Sequence, residues 1–215
     1  MTTLEIIAFI ARGLGVTIGL TLAAMALSLA VGSLACLLSI SRHRAVRVLA
    51  YGYIQVFRGI PLLAQLFILY FGLTRLGIEL DSFTAATLGL AMGGGAIVAE
   101  TLRAGLAAVP AGQMEAAVAL GTTRFRAVRL IILPQAAPLV LAPLSDFLVT
   151  LMKITAVAST VAAPEITFQA KLVAQNTSQT TEAYLILAAV YLAMGLPLIT
   201  CLDRLERKRN ARKRR

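Results

Sequence analysis

The feature that most limits what this chain can become is a set of five long apolar runs, at about residues 14–38, 49–73, 83–103, 131–152 and 183–202. A helix that crosses the bilayer core needs about 20 predominantly apolar residues, and each run supplies them. In a chain of 215 residues, five such helices and their connections leave no room for a separate soluble domain. The expected fold is all-α: one polytopic membrane domain over residues 1–215 with five transmembrane helices. Composition agrees, with 59% of residues hydrophobic and only 14% charged, against about 25% charged in ordinary soluble domains. The first run is too long, and lacks the basic flank, to read as a cleaved signal peptide. Cys36 and Cys201 lie inside apolar runs and suggest no disulfide framework.

The formal net charge of +10 follows topology rather than nucleic acid. Arg42, Arg44 and Arg47 follow the first run, and Arg103, Arg124, Arg126 and Arg129 lie between the third and fourth. Eight of the 20 basic residues lie in the tail after residue 203. Arg12, Arg75 and Lys171 fall on the other side, offset by Glu5, Glu79, Asp81, Glu165 and Glu182. Because Lys and Arg are retained inside, the amino terminus is expected outside and the carboxyl terminus in the cytoplasm. The tail, residues 203–215, has no aromatic side chain to stack on a base. Nucleic acid is therefore not an expected partner; anionic lipid is, at about 1 kcal/mol per basic residue near the surface. The small residues Gly15, Gly19 and Ala23 recur at four-residue spacing, a pattern that lets membrane helices approach closely. Gly93, Gly94 and Gly95 are read the same way.

The longest polar interval before the carboxyl-terminal third contains EAAVALGTTRFRAVRLIILP, Glu115 to Pro134. Pro110 and Gly112 break the preceding helix, and residues 113–120 then suffice for about two helical turns. Glu115 is expected in the first turn, facing the positive end of the helix dipole. Ala116 and Ala117 favour helix with almost no bulk. Gly121 suits the left-handed residue that ends a helix, and Thr122 or Thr123 can cap the next one. The product is a short, exposed, rigid helix bracketed by two turns, within a loop at residues 110–130 on the cytoplasmic side that is tied to two spans. Its small face fits a groove on another protein; the plainer alternative is a solvated connector.

Those residues carry a resemblance. Glu115, Ala116, Ala117, Gly121, Ile131, Leu133 and Pro134 match in spacing the loop signature of the permease subunits of binding-protein-dependent ABC importers. FRGIPLLAQLFILYFGL at 57–73, GAIVAETLRAGL at 95–106, LMKITAVAS at 151–159 and PEIT at 164–167 are similar to segments of the polar amino acid branch. Ile60, Ile97, Ala104, Ile154 and Ala156 depart from that branch, and Asp146 and Phe147 stand where it usually has Asn and Glu. The resemblance implies that the loop is a coupling helix docking into a cytoplasmic ATPase dimer. It also implies a second permease subunit, identical or paired, and a periplasmic or lipid-anchored substrate-binding protein. The cargo would be a polar amino acid, and the location the bacterial inner membrane. The chain has no glycine-rich phosphate loop. No cofactor is expected, ATP being bound by the partner subunits, and no enzymatic activity.

Polar groups inside spans mark pathways or partners. Gln65 is a candidate for the substrate path, with an interhelical hydrogen bond as the alternative. Glu100 and Arg103 stand at (i, i+3) and can pair; Arg58 can join Glu100 or extend to the surface. Asp146 is a second path candidate, either for an ammonium group or as a buried partner for Lys153 or Arg58. Thr155 completes the candidate path. Glu165 or Lys171, in a polar segment at residues 160–182, is positioned to touch a docking binding protein. A competing class, an ATP-independent secondary transporter or small channel, predicts an inverted repeat; none is visible between the halves.

Overall fold

The computed structural model describes residues 1–213, with side-chain surroundings through Arg207. The regular structure of the described residues is all helical, without a strand. Four helical stretches are long and apolar enough to cross a membrane, and a bent pair makes up to five. The expected basic tail begins as the continuation of the last helix; its side chains beyond Arg207 lie outside the described residues.

α1 (Thr3–Ala11) opens with a capping box, in which Thr2 N–H donates to Glu5 at 2.8 Å while Glu5 N–H donates to Thr2 Oγ1 at 3.3 Å. α2 (Leu14–Ser39) runs alongside α6 (Ser82–Ala107) as the central pair. Lipid offers no hydrophobic drive for helices to associate, so close packing of small residues must supply it. Gly94 packs on Ser28 and Phe147, and Gly95 on Val31 and Tyr53. The seam on α2 is Ala24, Ser28 and Gly32 rather than the expected Gly15, Gly19 and Ala23. Gly15 has nothing within 4 Å, and Gly19 meets only the Phe83 ring.

The second span, expected at residues 49–73 with an interruption at Arg58, Gly59 and Pro61, is bent at that point. α3 (Arg44–Gly59) and the helical stretch Leu62–Arg75 meet at 107°. The cause is local: Pro61 disfavours the α conformation in the residue before it, and Ile60 is extended at φ −90°, ψ 131°. The second arm runs through α4 (Leu62–Phe67), a π turn (Ile68–Gly72) and α5 (Leu73–Arg75). Ile54 of α3 packs with Ala35, Cys36 and Ala99, which fixes α3 against the central pair.

After α6 come α7 (Ala111–Ala119), α8 (Arg124–Ala127), a second π turn (Val128–Ile132) and α9 (Leu133–Ile154). α9 lies antiparallel to α6, with Val140 against Gly105 and Phe147 against Gly94.

Residues 160–182, expected as a polar segment, form a packed cap instead. A 3-10 helix (Thr155–Val161) leads to α10 (Ile166–Thr177) and α11 (Thr180–Lys213). Ile6 and Ile10 of α1 pack with Ile166, Ala170 and Val173 of α10 and with Ala183 and Leu187 of α11. Glu165 is 0% exposed, so the expectation that it touches a docking protein is wrong. It caps α10 instead, accepting from Phe168 N–H at 2.7 Å and Thr167 N–H at 2.9 Å. Lys171 donates to Ser159 Oγ at 2.7 Å.

Burial pushes the Glu165 carboxyl above its ordinary value, against the hydrogen bonds that hold it down. Folding therefore favours the protonated form. That contribution is fully present below the ordinary carboxylate value of about 4.3 and is lost as pH rises through the higher folded value. The unfolding temperature of the purified protein should fall through this group as pH rises above about 4.3. The fall should be smaller in Glu165→Gln; an identical pH dependence in the two proteins would contradict the assignment.

Candidate functional site

Between the two arms of the bent pair and the helices α6 and α9 lies a cavity of about 290 Å³. The bend creates it, because α3 ends where α4 turns away, and the carbonyls at the end of a helix lose their intrahelical donors. Gln65, 6% exposed, answers two of them: its Nε2 donates to Phe57 O at 2.8 Å and Ile60 O at 2.7 Å. Both acceptors demand the NH₂ group, which fixes the amide's orientation. The Gln65 Oε1 is thereby turned toward Gly93 and has no hydrogen-bond donor.

Arg58 lines the same cavity. Of the expected charged trio, Arg103 holds Glu100 in a two-pronged pair, Nε to Oε2 and a terminal nitrogen to Oε1, both at 2.8 Å. Arg58 stands farther off, 3.6 Å from Glu100 Oε1, with its side chain 47% exposed. Paired parallel N–H···O bonds are stronger and more directional than a single distant contact. Arg103→Gln should therefore lower the unfolding temperature of the purified protein clearly more than Arg58→Gln does. Equal losses, measured side by side in one detergent, would contradict this ranking.

The remaining path candidates are not brought to this cavity. Asp146 is exposed on another face of α9, where a separate cavity of about 340 Å³ also holds Lys153, Asp203 and Glu206. It makes no ion pair with Arg58 or Lys153 among the described residues. The reason is rotational: one helical step turns a side chain by about 100°, and Phe147 takes the inward position. Thr155 is fully buried, donates to Met152 O at 2.7 Å, and lies outside the lining. In their place α9 contributes Phe147, Leu151 and Ile154 to the wall. Their i, i+4, i+7 spacing marks one helix face and was the signal by which the sequence could have pointed to them.

At the far end of α9 sits the Glu115 to Pro134 loop. α7 ends in paired hydrogen bonds, Gly121 N–H to Val118 O at 2.9 Å and Thr122 N–H to Ala117 O at 3.0 Å. Gly121 takes φ +79°, the left-handed residue this helix ending requires. Thr123 Oγ1 then accepts from Arg126 N–H at 3.4 Å to cap α8. Two expectations about this loop change. α7 starts at Ala111, with Gly112 inside it, so Glu115 lies beyond the first turn and does not complement the dipole. The face it offers is also not only small: Leu120 is 86% and Phe125 76% exposed. Glu115 and Ala116 are exposed, whereas Ala117 is buried. Met114 and Ile131 pack on Val109, Ile132 and Ala136, fastening the loop to the first turn of α9, while Leu133 and Pro134 stay exposed.

Residues 15–215 match the family model described as the binding-protein-dependent transport system inner membrane component. The chain belongs to this family. It is a multi-pass inner-membrane permease subunit, not an ATPase. Among its relatives, a probable glutamine ABC transporter permease protein, GlnM of Bacillus subtilis (strain 168), is 36% identical over 185 residues, 86% of each chain. The arginine transport system permease protein ArtQ of the same organism is 34% identical over 207 residues, 96% of this chain and 94% of the relative. A crystal structure titled as an amino acid ABC transporter with histidines superposes with a TM-score of 0.91 at 34% identity, covering 97% of this chain and 99% of that one. The inward-facing MetNI methionine ABC transporter shares the fold at a TM-score of 0.78 and 22% identity, over 93% of this chain and 95% of that one.

Proposed function

We propose that this permease imports a polar amino acid, driven by ATP hydrolysis in partner subunits that engage the Glu115 to Pro134 loop. The observation that carries the reading is mechanical continuity along α9. Its first turn, with Ala136, and Ile132 just before it anchor the loop, and its last turns, with Phe147, Leu151 and Ile154, wall the cavity. Packed helices move as near-rigid bodies, so a displacement of the loop moves the cavity wall. Leu120 and Phe125 offer apolar surface of the kind that partner proteins cover. Glu115, Ala116 and Gly121 shape the docking element, and Ile131, Leu133 and Pro134 join it to α9.

In this reading the amino terminus is outside and the carboxyl terminus cytoplasmic, in keeping with the Lys and Arg distribution. A cytoplasmic ATPase dimer docks on the loops of two permease subunits, and a substrate-binding protein delivers the amino acid on the opposite side. Gln65 and Arg58 are the path residues of this chain. Glu100 acts on the path through Arg58, while Asp146 and Thr155 serve other contacts.

The test is reconstitution of the permease with its ATPase and binding protein in vesicles. Amino acid uptake should require ATP hydrolysis and stop when ATP is replaced by a non-hydrolysable analogue. Uptake driven by an ion gradient without ATP would favour a secondary transporter instead.

A further inference from the structure

We infer that an anionic phospholipid binds where α2, α6 and α9 end beside the loop. Its headgroup rests on Arg42, Arg44 and Arg129, and one acyl chain fills a groove between the helices. The groove has a volume of about 330 Å³ and is walled by Leu37 of α2, Leu102 and Leu106 of α6, and Leu133, Ala136 and Val140 of α9. No charged side chain lines it, and Ser33 supplies the only side-chain oxygen. Leu37 is 63% and Leu133 46% exposed, so the walls open sideways, toward the membrane. A polar ligand would lose its hydrogen bonds on entering, whereas a hydrocarbon chain has none to lose.

The groove lies at the loop-side ends of its three helices. Leu37 is in the last turn of α2, Leu106 in the last turn of α6, and Leu133 opens α9. Arg42 lies in the turn after α2, Arg44 opens α3, and Arg129 precedes Leu133 by one helical turn on the same face. All three arginines are exposed, and none forms an ion pair among the described residues. The cause is compositional: residues 6–78 and 116–145 contain no Asp or Glu, and Glu100 is engaged by Arg103 and Arg58. Guanidinium groups without a carboxylate match a phosphodiester, which accepts their paired N–H groups. Cations at one end and hydrocarbon at the other complement an anionic amphiphile, and basic clusters between helices at a membrane surface hold such headgroups.

The bound chain touches the parts that hold the loop. Leu106 and Ala136 line the groove and also pack with Val109 and Ile132, the cluster on which Met114 and Ile131 rest. Lipid in the groove therefore supports the junction between the loop and α9 from the membrane side. The site depends on this geometry alone, not on which solute is carried.

The experiment uses the full chain in complex with its permease and ATPase partners, reconstituted in phosphatidylcholine bilayers. The chain has no tryptophan, so Leu37→Trp places a single reporter on the rim of the groove, with the wild-type complex as blank. Leu192→Trp, at a position 61% exposed on α11, reports ordinary lipid contact. Phosphatidylglycerol and phosphatidylcholine carrying brominated acyl chains are compared as quenchers at equal mole fraction. At Leu37→Trp the relative affinity should favour phosphatidylglycerol at least threefold, and at Leu192→Trp the ratio should be near one. Arg42→Gln combined with Arg129→Gln should bring the Leu37→Trp ratio near one as well. Equal affinities at Leu37→Trp overturn the inference, as does a preference that survives loss of both arginines or recurs at Leu192→Trp. Quenching at Leu37→Trp by neither lipid also overturns it, because a protein neighbour then covers the groove. If Leu37→Trp fails to assemble, mass spectrometry of the lipid retained by the purified complex decides. The wild type should retain at least threefold more phosphatidylglycerol than the double arginine variant, and equal retention overturns the inference. ATP-dependent uptake judges the proposed function separately.

Discussion

Gly121→Val should uncouple the transporter, cutting amino acid uptake per ATP hydrolysed at least tenfold, whereas Gly121→Asn should keep most of it. Nothing stands within 4 Å of a Cβ added at Gly121, so neither variant is excluded by crowding. What separates them is φ +79°. A left-handed conformation costs an ordinary L-residue about 1–2 kcal/mol, a β-branched one more, while asparagine visits it readily. Since 1.4 kcal/mol is a factor of ten in an equilibrium, valine should unwind the end of α7 in most molecules. The two bonds that close it, Gly121 N–H to Val118 O and Thr122 N–H to Ala117 O, would be lost with it. Uptake and hydrolysis measured on the same vesicles give the ratio. Equal coupling in the two variants would mean that the shape of this helix end does not matter to transport.

Gly32→Leu should prevent the central pair from forming and yield little monodisperse protein on size exclusion in detergent. A Cβ at Gly32 would sit 2.6 Å from the backbone oxygen of Gly95 and 2.6 Å from Val98 Cβ. Overpacking a core typically costs about 1–3 kcal/mol when side chains can move aside. Here one obstacle is main chain in the middle of α6, so the helices themselves must separate. Gly52→Ala is the internal control: it also lies in a helix, has nothing within 4 Å of the added Cβ, and should be neutral or slightly stabilising. A Gly32→Leu protein as stable as Gly52→Ala would show that α2 and α6 do not pack as described.

The parts of this molecule that could be read from the sequence are those set by local chemistry. Apolar length marked an all-α membrane protein, and Gly121 with Thr123 marked the end of α7 and the start of α8, because a left-handed turn and a cap each need particular residue types. Glu100 and Arg103 were found together because an (i, i+3) pair is a local feature. What depended on rotation about a helix axis was not legible. Asp146 and Phe147 are adjacent, and only the neighbours Leu90 and Gly94 decide which of them faces inward. The small-residue seam on α2 was misplaced for the same reason, since several glycine registers fit one helix and the partner selects among them. Pro61 announced an interruption, but the 107° bend and the role of Gln65 in answering the freed carbonyls depend on where α3 and α4 rest against α6. Glu165 looked like a surface carboxylate because its burial comes from α1, α2 and α11, elements distant in sequence that close over it. Ile166 N–H donating to Thr17 Oγ1 at 3.2 Å is one such long-range tie.

A push on the loop should be felt in the cavity, and cavity accessibility measures that directly. Ile97 lines the cavity and is 42% exposed. Ile97→Cys should be introduced into a complex whose permease carries Cys36→Ala and Cys201→Ser, then treated with a membrane-impermeant thiol reagent from one side of sealed vesicles. Trapping the ATP-bound state should change the labelling rate at least fivefold, and Gly121→Val should abolish this response while leaving unliganded labelling intact. A labelling rate indifferent to ATP, or a full response with the loop helix disrupted, would contradict it.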